Sequence, residues 1–218
     1  ETCDILAYPS GNSYHNWKLE NGVETCELLR HTNGNTCHNY KRENGVQTCD
    51  TLTCPSGKTY HKWKQENGVV TCELFIDTND NTYHNYKLEN GVQTCNTLTT
   101  PDGTTYDQWK DENGVETCDT LTTPDGTTYH QWKDENGVVT CDALTCPSGN
   151  TYLNSKEDEN GVETCELLRH TNGNSYHNWK LENGVETCDT LITPDGTTYH
   201  QWKREKNGTQ TCGPITKK

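Results

Sequence analysis

The sequence predicts an all-β protein, an elongated array of about nine β-hairpins, and three observations support this prediction. The dipeptide Thr-Cys recurs every 23 or 24 residues, from Cys3 to Cys212. Each repeat contains an Asn-Gly pair and a second turn of the Pro-Ser-Gly, Pro-Asp-Gly or Thr-Asn type. The segments between turns are short and rich in Thr, Tyr, Trp and Val, without helical spacing. A fixed period of this length is the signature of a repeat architecture.

The composition agrees with an array and disagrees with an ordinary globular domain. Only 28% of the residues are apolar, and the chain has one Phe and no Met. Such a chain cannot fill a single compact core, whereas a linear array needs each unit to pack only on its neighbours. We expect one continuous array over residues 1–212. A tail over residues 213–218 would cap the last repeat or dock Ile215 into a neighbouring molecule.

Each repeat reads as strand, turn, strand, turn. Asn-Gly between strand-like segments predicts a two-residue hairpin turn, because both residues accept a positive φ. In Pro-Asp-Gly the proline presets φ and the glycine takes the left-handed position. Two repeats carry an extra residue near the Asn-Gly pair, within residues 155–159 and 204–206. An insertion is tolerated best at a solvated tip, so we expect the Asn-Gly end to be the exposed edge.

Two packings fit this pattern. In an antiparallel meander, Cys118 faces Trp132 and Leu121 faces Tyr129. One face then carries a Trp–Cys row and the other a Tyr–Leu row, since side chains alternate along a strand. In a two-sided β-solenoid each repeat is one coil, and equivalent residues stack about 4.8 Å apart. The hairpin-type turns favour the meander, and the solenoid remains the alternative.

The stretch Thr120–Tyr129, followed by Trp132 and Asn136-Gly137, resembles the MORN repeat. The shared features are the 23-residue period, a Pro-Asp-Gly-x-x-Tyr step, a following Trp and an Asn-Gly turn. The family's glycines are largely missing, and YD-type repeats of bacterial surface and toxin shells look similar as well. Both resemblances imply a single-layer sheet of consecutive hairpins that serves as a scaffold or binding surface.

Charge and cysteine content indicate the environment. The net charge of −14 disfavours nucleic-acid partners, which need clustered Lys and Arg. The sequence contains no apolar run of membrane-spanning length. Thirteen cysteines without zinc-type CxxC pairs favour an oxidising, extracellular or cell-surface location.

The cysteines are the first candidate site. The Thr-Cys column fits either small apolar side chains packed between Trp rings or disulfide partners. Cys37 and Cys54 lie outside this column, on the same predicted face, and we expect a disulfide between them. Cys146 has no comparable partner and is the predicted free or intermolecular thiol.

No catalytic, cofactor or metal site is predicted. Every titratable candidate recurs once per repeat in equivalent surroundings, whereas catalysis needs one asymmetric pocket. A histidine column follows the Tyr positions, but meander neighbours would be too far apart to share an ion. Acidic turns such as Asp134-Glu135-Asn136-Gly137 lack the spaced ligands of a calcium loop, so calcium is kept only as an alternative to no cofactor.

Two functions remain open at this stage. One is a structural extracellular protein that assembles into or decorates a fibre, sheath or surface layer, with copies of itself as end-to-end or lateral partners. The other is an adhesion module that holds polysaccharide or protein on an exposed aromatic row. Asn207, in Asn-Gly-Thr, is the candidate glycosylation site. The aromatic row comprises Trp17, Trp63, Trp109, Trp132, Trp179 and Trp202.

Overall fold

The computed structural model describes residues 1–217, and over that range it contains strands and turns but no helix. The chain divides into two compact units, Glu1–Asn113 and Gly114–Lys218. Within each unit the strands pair antiparallel with their neighbours in sequence, so the predicted meander is confirmed and the solenoid is not found. No helix within residues 1–217 is long and apolar enough to cross a bilayer.

The first unit contains ten strands. They are β1 (Thr2–Ala7), β2 (Ser13–Glu20), β3 (Val23–Arg30), β4 (Thr36–Glu43), β5 (Val46–Thr53), β6 (Thr59–Glu66), β7 (Val69–Ile76), β8 (Thr82–Glu89), β9 (Val92–Thr99) and β10 (Thr105–Glu112). The second unit continues the pattern with β11 (Val115–Thr122), β12 (Thr128–Glu135), β13 (Val138–Thr145), β14 (Thr151–Glu157), β15 (Glu163–Arg169), β16 (Ser175–Glu182), β17 (Val185–Ile192), β18 (Thr198–Arg204), β19 (Gln210–Thr211) and β20 (Ile215–Thr216).

The Asn-Gly pairs form the predicted two-residue turns. In the turn between β6 and β7, Asn67 has φ of 50° and Gly68 has φ of 78°. Both residues are left-handed, which is the conformation whose twist matches that of the flanking strands. Glu66 pairs with Val69 directly beside the turn, so the register of the hairpin is fixed from this point.

The second class of turn also matches its prediction. Between β5 and β6, the Gly57 N–H donates to the Cys54 carbonyl at 2.9 Å, and Gly57 has φ of 98°. In the Pro-Asp-Gly version, an Asp125 carboxylate oxygen accepts the Thr127 N–H at 3.0 Å. Bonds from the Thr123 hydroxyl and from Thr127 lower the pKa of Asp125. These bonds to the aspartate explain why this residue type suits the turn.

The extra residue of the repeat around Asn160 is absorbed at the hairpin tip, as predicted. Asp158 donates its N–H to the Val162 carbonyl at 3.1 Å, and Gly161 donates to the Asp158 carbonyl at 2.9 Å. The Asp158 carboxylate accepts the N–H groups of Asn160 and Val162. The loop is longer than a two-residue turn, and beyond it Tyr152 still pairs with Leu168. The sheet register is therefore preserved.

The C-terminal segment completes the second unit. Ile215 in β20 pairs with Tyr199, and Thr211 in β19 pairs with Lys203, both on β18. The His200 N–H donates to the Pro214 carbonyl at 3.1 Å. Of the two roles predicted for this segment, the structure shows the one in which it lies against the last repeat, although Ile215 remains 53% exposed.

Candidate functional site: the core face

One face of each unit carries the buried side chains, and we call it the core face. It is formed by the Tyr, Trp, Cys and Leu columns together. In the first unit, one cluster contains Cys72, Phe75, Tyr83, Tyr86, Cys95, Leu98 and Trp109. In the second unit, another contains Cys165, Leu168, Trp179, Cys188, Leu191 and Trp202. The prediction that the Trp–Cys and Tyr–Leu rows lie on opposite faces is therefore wrong.

A left-handed residue in alternate strands explains why the Tyr and Trp columns share one face. Gln131 lies between Tyr129 and Trp132 in β12, and its φ is 51°. Plain β alternation would place residues three apart on opposite faces. One residue with positive φ turns the chain locally, so that Tyr129 and Trp132 point to the same side. The same position is left-handed in the other repeats: Asn16, Asn39, Lys62, Asn85, Gln108, Asn154, Asn178 and Gln201.

The opposite surface is the polar face. There the left-handed residues are exposed, and several of them bond to the acidic residue that follows the Thr-Cys pair on the next strand. The Asn39 amide donates to the Asp50 carboxylate at 2.7 Å, and Asn178 donates to Asp189 at 2.9 Å. These hydrogen bonds satisfy an acidic column on the side that faces water. Each unit therefore has one polar and one largely apolar surface.

Edge-to-face contacts between rings join consecutive repeats on the core face. Tyr83 in β8 lies 5.3 Å from Trp109 in β10, with ring planes at 64°. Tyr152 in β14 and Trp179 in β16 are 5.4 Å apart at 66°. This geometry suits the aromatic quadrupole. Each repeat thus completes the burial of the next, which is how a chain poor in apolar residues obtains a core.

The predicted exposed aromatic row is not exposed. Trp109, Trp132, Trp179 and Trp202 retain 3% to 7% of their accessible surface, and Trp17 and Trp63 are half-buried. The indole rings lie beneath the side chains of neighbouring strands because the Tyr column shares their face. The row therefore forms the core and offers little ring area to a ligand.

The disulfide joins Cys37 to Cys49 and not to Cys54, so the predicted partner was wrong. Cys37 stands at a Tyr position on the core face, and Cys49 belongs to the Thr-Cys column of the next strand. Their Cα atoms are 5.6 Å apart, within the range that a disulfide spans. Cys54 begins the turn after β5 and its thiol is free. The error followed from assigning the two columns to opposite faces.

Among the other Thr-Cys cysteines, six have free, buried thiols, which matches their interpretation as small packing side chains: Cys26, Cys72, Cys95, Cys141, Cys165 and Cys188. Burial raises the pKa of Cys72, Cys95, Cys165 and Cys188 to about 12. These thiols are protonated at neutral pH and are poor nucleophiles. Cys146 is also free, half-buried, with a pKa raised by burial. Whether it bonds to another chain stays a prediction.

The remaining candidates are spread along the polar surfaces. Among residues 1–217 no group of three or more His, Cys, Asp or Glu side chains is arranged to hold a metal. The imidazoles of His61 and His130 each lie 3.5 Å from a Thr hydroxyl on the preceding strand. Asn207 is exposed in a turn, where its side-chain oxygen accepts the Thr209 N–H at 2.9 Å. Its glycosylation stays a prediction.

The hydrogen bond of the indole N–H is not the same for every residue of the Trp column. The Trp17 Nε1–H donates to Glu24 at 2.8 Å, and the corresponding acceptor for Trp179 is Glu186. Glu186 instead pairs with Arg204 at 2.6 Å. Within the described residues, Trp179 Nε1 is buried without an acceptor. Arg42 faces Glu24 in the register in which Arg204 faces Glu186, yet Trp17 keeps its bond, so the arginine alone does not account for the difference.

A feature that sequence reasoning did not interpret is Ser155. It is the one small residue in a column that otherwise holds Trp or Tyr. Ser155 pairs with Cys141 in the register where Trp132 pairs with Cys118. A missing ring on a filled core face leaves a cavity beside it. The change from Trp to Ser was visible in the sequence, but its consequence required knowing that this face is buried.

No protein-family model matches the chain, and a search of curated proteins finds no match either.

Proposed function

We propose that the protein is a structural repeat protein of the extracellular space that builds or decorates a fibre, sheath or surface layer. The observation that carries this proposal is the core face, where most rings are buried by side chains of the adjacent repeat. Within each unit such a face supports a sheet whose surface chemistry is nearly the same in every repeat. That property suits a scaffold better than a single recognition site.

The positions of the exposed apolar side chains support self-association. Within the described residues, the large hydrophobic side chains that remain exposed are Ile5, Tyr8, Leu19 and Ile215. Ile5 is 63% exposed on β1, which pairs only with β2 within residues 1–217. Ile215 lies on β20, which pairs only with β18 among residues 1–217. Open strand edges beside exposed apolar groups are templates for pairing with another chain.

Electron microscopy of the negatively stained protein over a range of concentrations tests this proposal. We expect filaments or sheets to appear as concentration rises, and Ile5→Lys or Ile215→Lys to suppress them. His130→Lys, which adds the same charge on the polar face, should assemble like the unmodified chain. A protein that stays monomeric at every concentration and is retained on immobilised polysaccharide would refute the structural role and favour the adhesion alternative.

A further inference from the structure

The Ser155 cavity lies where the Trp and Tyr column of the core face lacks its ring. It has a volume of about 210 Å³ and lies wholly within the second unit. Tyr129, Tyr152, Leu144 and Trp179 form apolar parts of its wall. In the next repeat, Tyr152 packs edge-on against Trp179, so the cavity occupies the place where Tyr129 would meet an equivalent ring. Its walls therefore already suit a planar aromatic group.

Two carboxylates stand at the same cavity. Glu157 and Glu163 line it and pair directly across the β14–β15 ladder. Like charges at opposed positions destabilise a sheet. Burial and the charge of Glu157 raise the pKa of Glu163. No Lys or Arg is among the cavity-lining residues.

The ion pair of the Lys column is altered in the repeat that carries the cavity. In other repeats a Lys and the Glu two residues later form an ion pair, for example Lys133 with Glu135 and Lys180 with Glu182. Here the residue two after Lys156 is Asp158, whose carboxylate is engaged by the turn N–H groups. Glu163 stands where most other repeats have Glu or Gln, but only here does it oppose a second glutamate at a cavity.

We propose that the Ser155 cavity binds an aromatic ammonium compound, with a ring of about indole size in the vacant ring position and its ammonium group between Glu157 and Glu163. The ring would contact Tyr129 edge-on, as Trp179 contacts Tyr152. The ammonium would supply the cation that the opposed carboxylates lack, and the aromatic walls add a cation–π contribution. Ser155 and Cys141 offer small polar groups at the floor. This site does not depend on the structural role proposed above.

Calorimetric titration of the whole chain with tryptamine tests the proposal, with 3-ethylindole and indole-3-propionate as probes of the same ring and a different charge. We expect one tryptamine site. The neutral 3-ethylindole should bind about tenfold more weakly, because it loses one charge-assisted contact with the glutamates, and the anionic indole-3-propionate should bind more weakly still. Glu163→Gln should weaken tryptamine by about tenfold and leave 3-ethylindole unchanged.

Two tryptophan variants locate the site. Ser155→Trp fills the cavity with the ring that its column normally holds and should abolish binding, while the fold is retained. Ser148→Trp adds the same residue to an exposed turn and should bind as the unmodified chain does. Undiminished binding by Ser155→Trp, equal affinity for tryptamine and 3-ethylindole, or no binding of any probe would each overturn the proposal. A dimer that dissociates on Ser155→Trp and binds no tryptamine would overturn it as well, because a second copy would then occupy the cavity.

Discussion

The phenol ring of Tyr176 packs edge-on against the indole of Trp202 on the core face, with centroids 5.2 Å apart and ring planes at 63°. Tyr176 lies on β16 and Trp202 on β18, so the contact spans one full repeat. It requires the Tyr and Trp columns to project from the same side of the sheet. In β16 this is achieved by Asn178, which lies between Tyr176 and Trp179 with φ of 52°.

The left-handed position should be sensitive to backbone preference. Gln131 adopts φ of 51°, a conformation that costs a residue other than glycine about 1–2 kcal/mol. Gln131→Gly removes this cost because glycine accepts positive φ. Glycine also loses more conformational freedom on folding, so only part of the cost is recovered. We expect Gln131→Gly to raise the free energy of unfolding by about 0.5–1 kcal/mol, measured by urea denaturation.

Gln131→Val is the matched opposite change, because a β-branched side chain fits an ordinary strand but not positive φ. It should destabilise the chain by about 1–2 kcal/mol. If valine proves as stable as glycine at this position, the left-handed conformation is not what sets the faces of β12.

Alkaline pH should weaken the fold through the buried thiols. Burial raises the pKa of Cys72, Cys95, Cys165 and Cys188 to about 12 in the folded chain, against an ordinary value of 9.0 for an exposed thiol. Between these values the unfolded chain releases protons that the folded chain retains. Stability is therefore constant below about pH 9 and falls as pH rises toward 12.

Urea midpoints of the reduced protein from pH 7 to pH 11 measure this effect. Cys95→Ala removes one titrating thiol and should show a shallower fall than the unmodified chain. Burial also raises the pKa values of Tyr83 and Tyr86, which add to the fall in both proteins. Because the charge of Cys95 is a further cause of both shifts, Cys95→Ala lowers their contribution as well, in the same direction. A midpoint that is flat up to pH 11 would contradict the burial of these groups.

Filling the Ser155 cavity should stabilise the second unit. Ser155→Trp places an indole in a space of about 210 Å³ that is bordered by Tyr129 and Trp179. Because Glu157 in its wall is exposed, we expect a gain of about 1–2 kcal/mol and not the full value for a sealed void. Ser148→Trp should leave the thermal midpoint unchanged. A lower midpoint for Ser155→Trp would show that the cavity cannot accommodate the ring.

The strands and turns could be predicted because their signals are local. The two adjacent residues Asn67-Gly68 determine the type of their turn, and the pairing of Cys118 with Trp132 follows from the turns. The solvated tip at Asp158–Val162 could be predicted for the same reason, since an extra residue is absorbed where the backbone is not paired on both sides.

The distribution of side chains between the faces could not be predicted by the same means. Alternation along a strand assumes extended backbone throughout, and Gln131 and Lys62 give no sequence sign of a positive φ. Asn16, Asn39 and Asn85 at the equivalent position are the available signal, because asparagine is enriched in left-handed conformations. The burial of Trp132 beside Tyr129 depends on this one dihedral angle.

Formation of a new disulfide in Tyr176→Cys tests the shared core face most directly. Tyr176 and Cys188 stand 12 residues apart, as do Cys37 and Cys49, whose Cα atoms are 5.6 Å apart. We expect Tyr176→Cys to form a disulfide with Cys188 on mild oxidation, identified by mass spectrometry of non-reduced peptides. His177→Cys, one residue along, should form none. If His177→Cys bridges to Cys188 and Tyr176→Cys does not, the Tyr and Thr-Cys columns lie on opposite faces and the account is wrong.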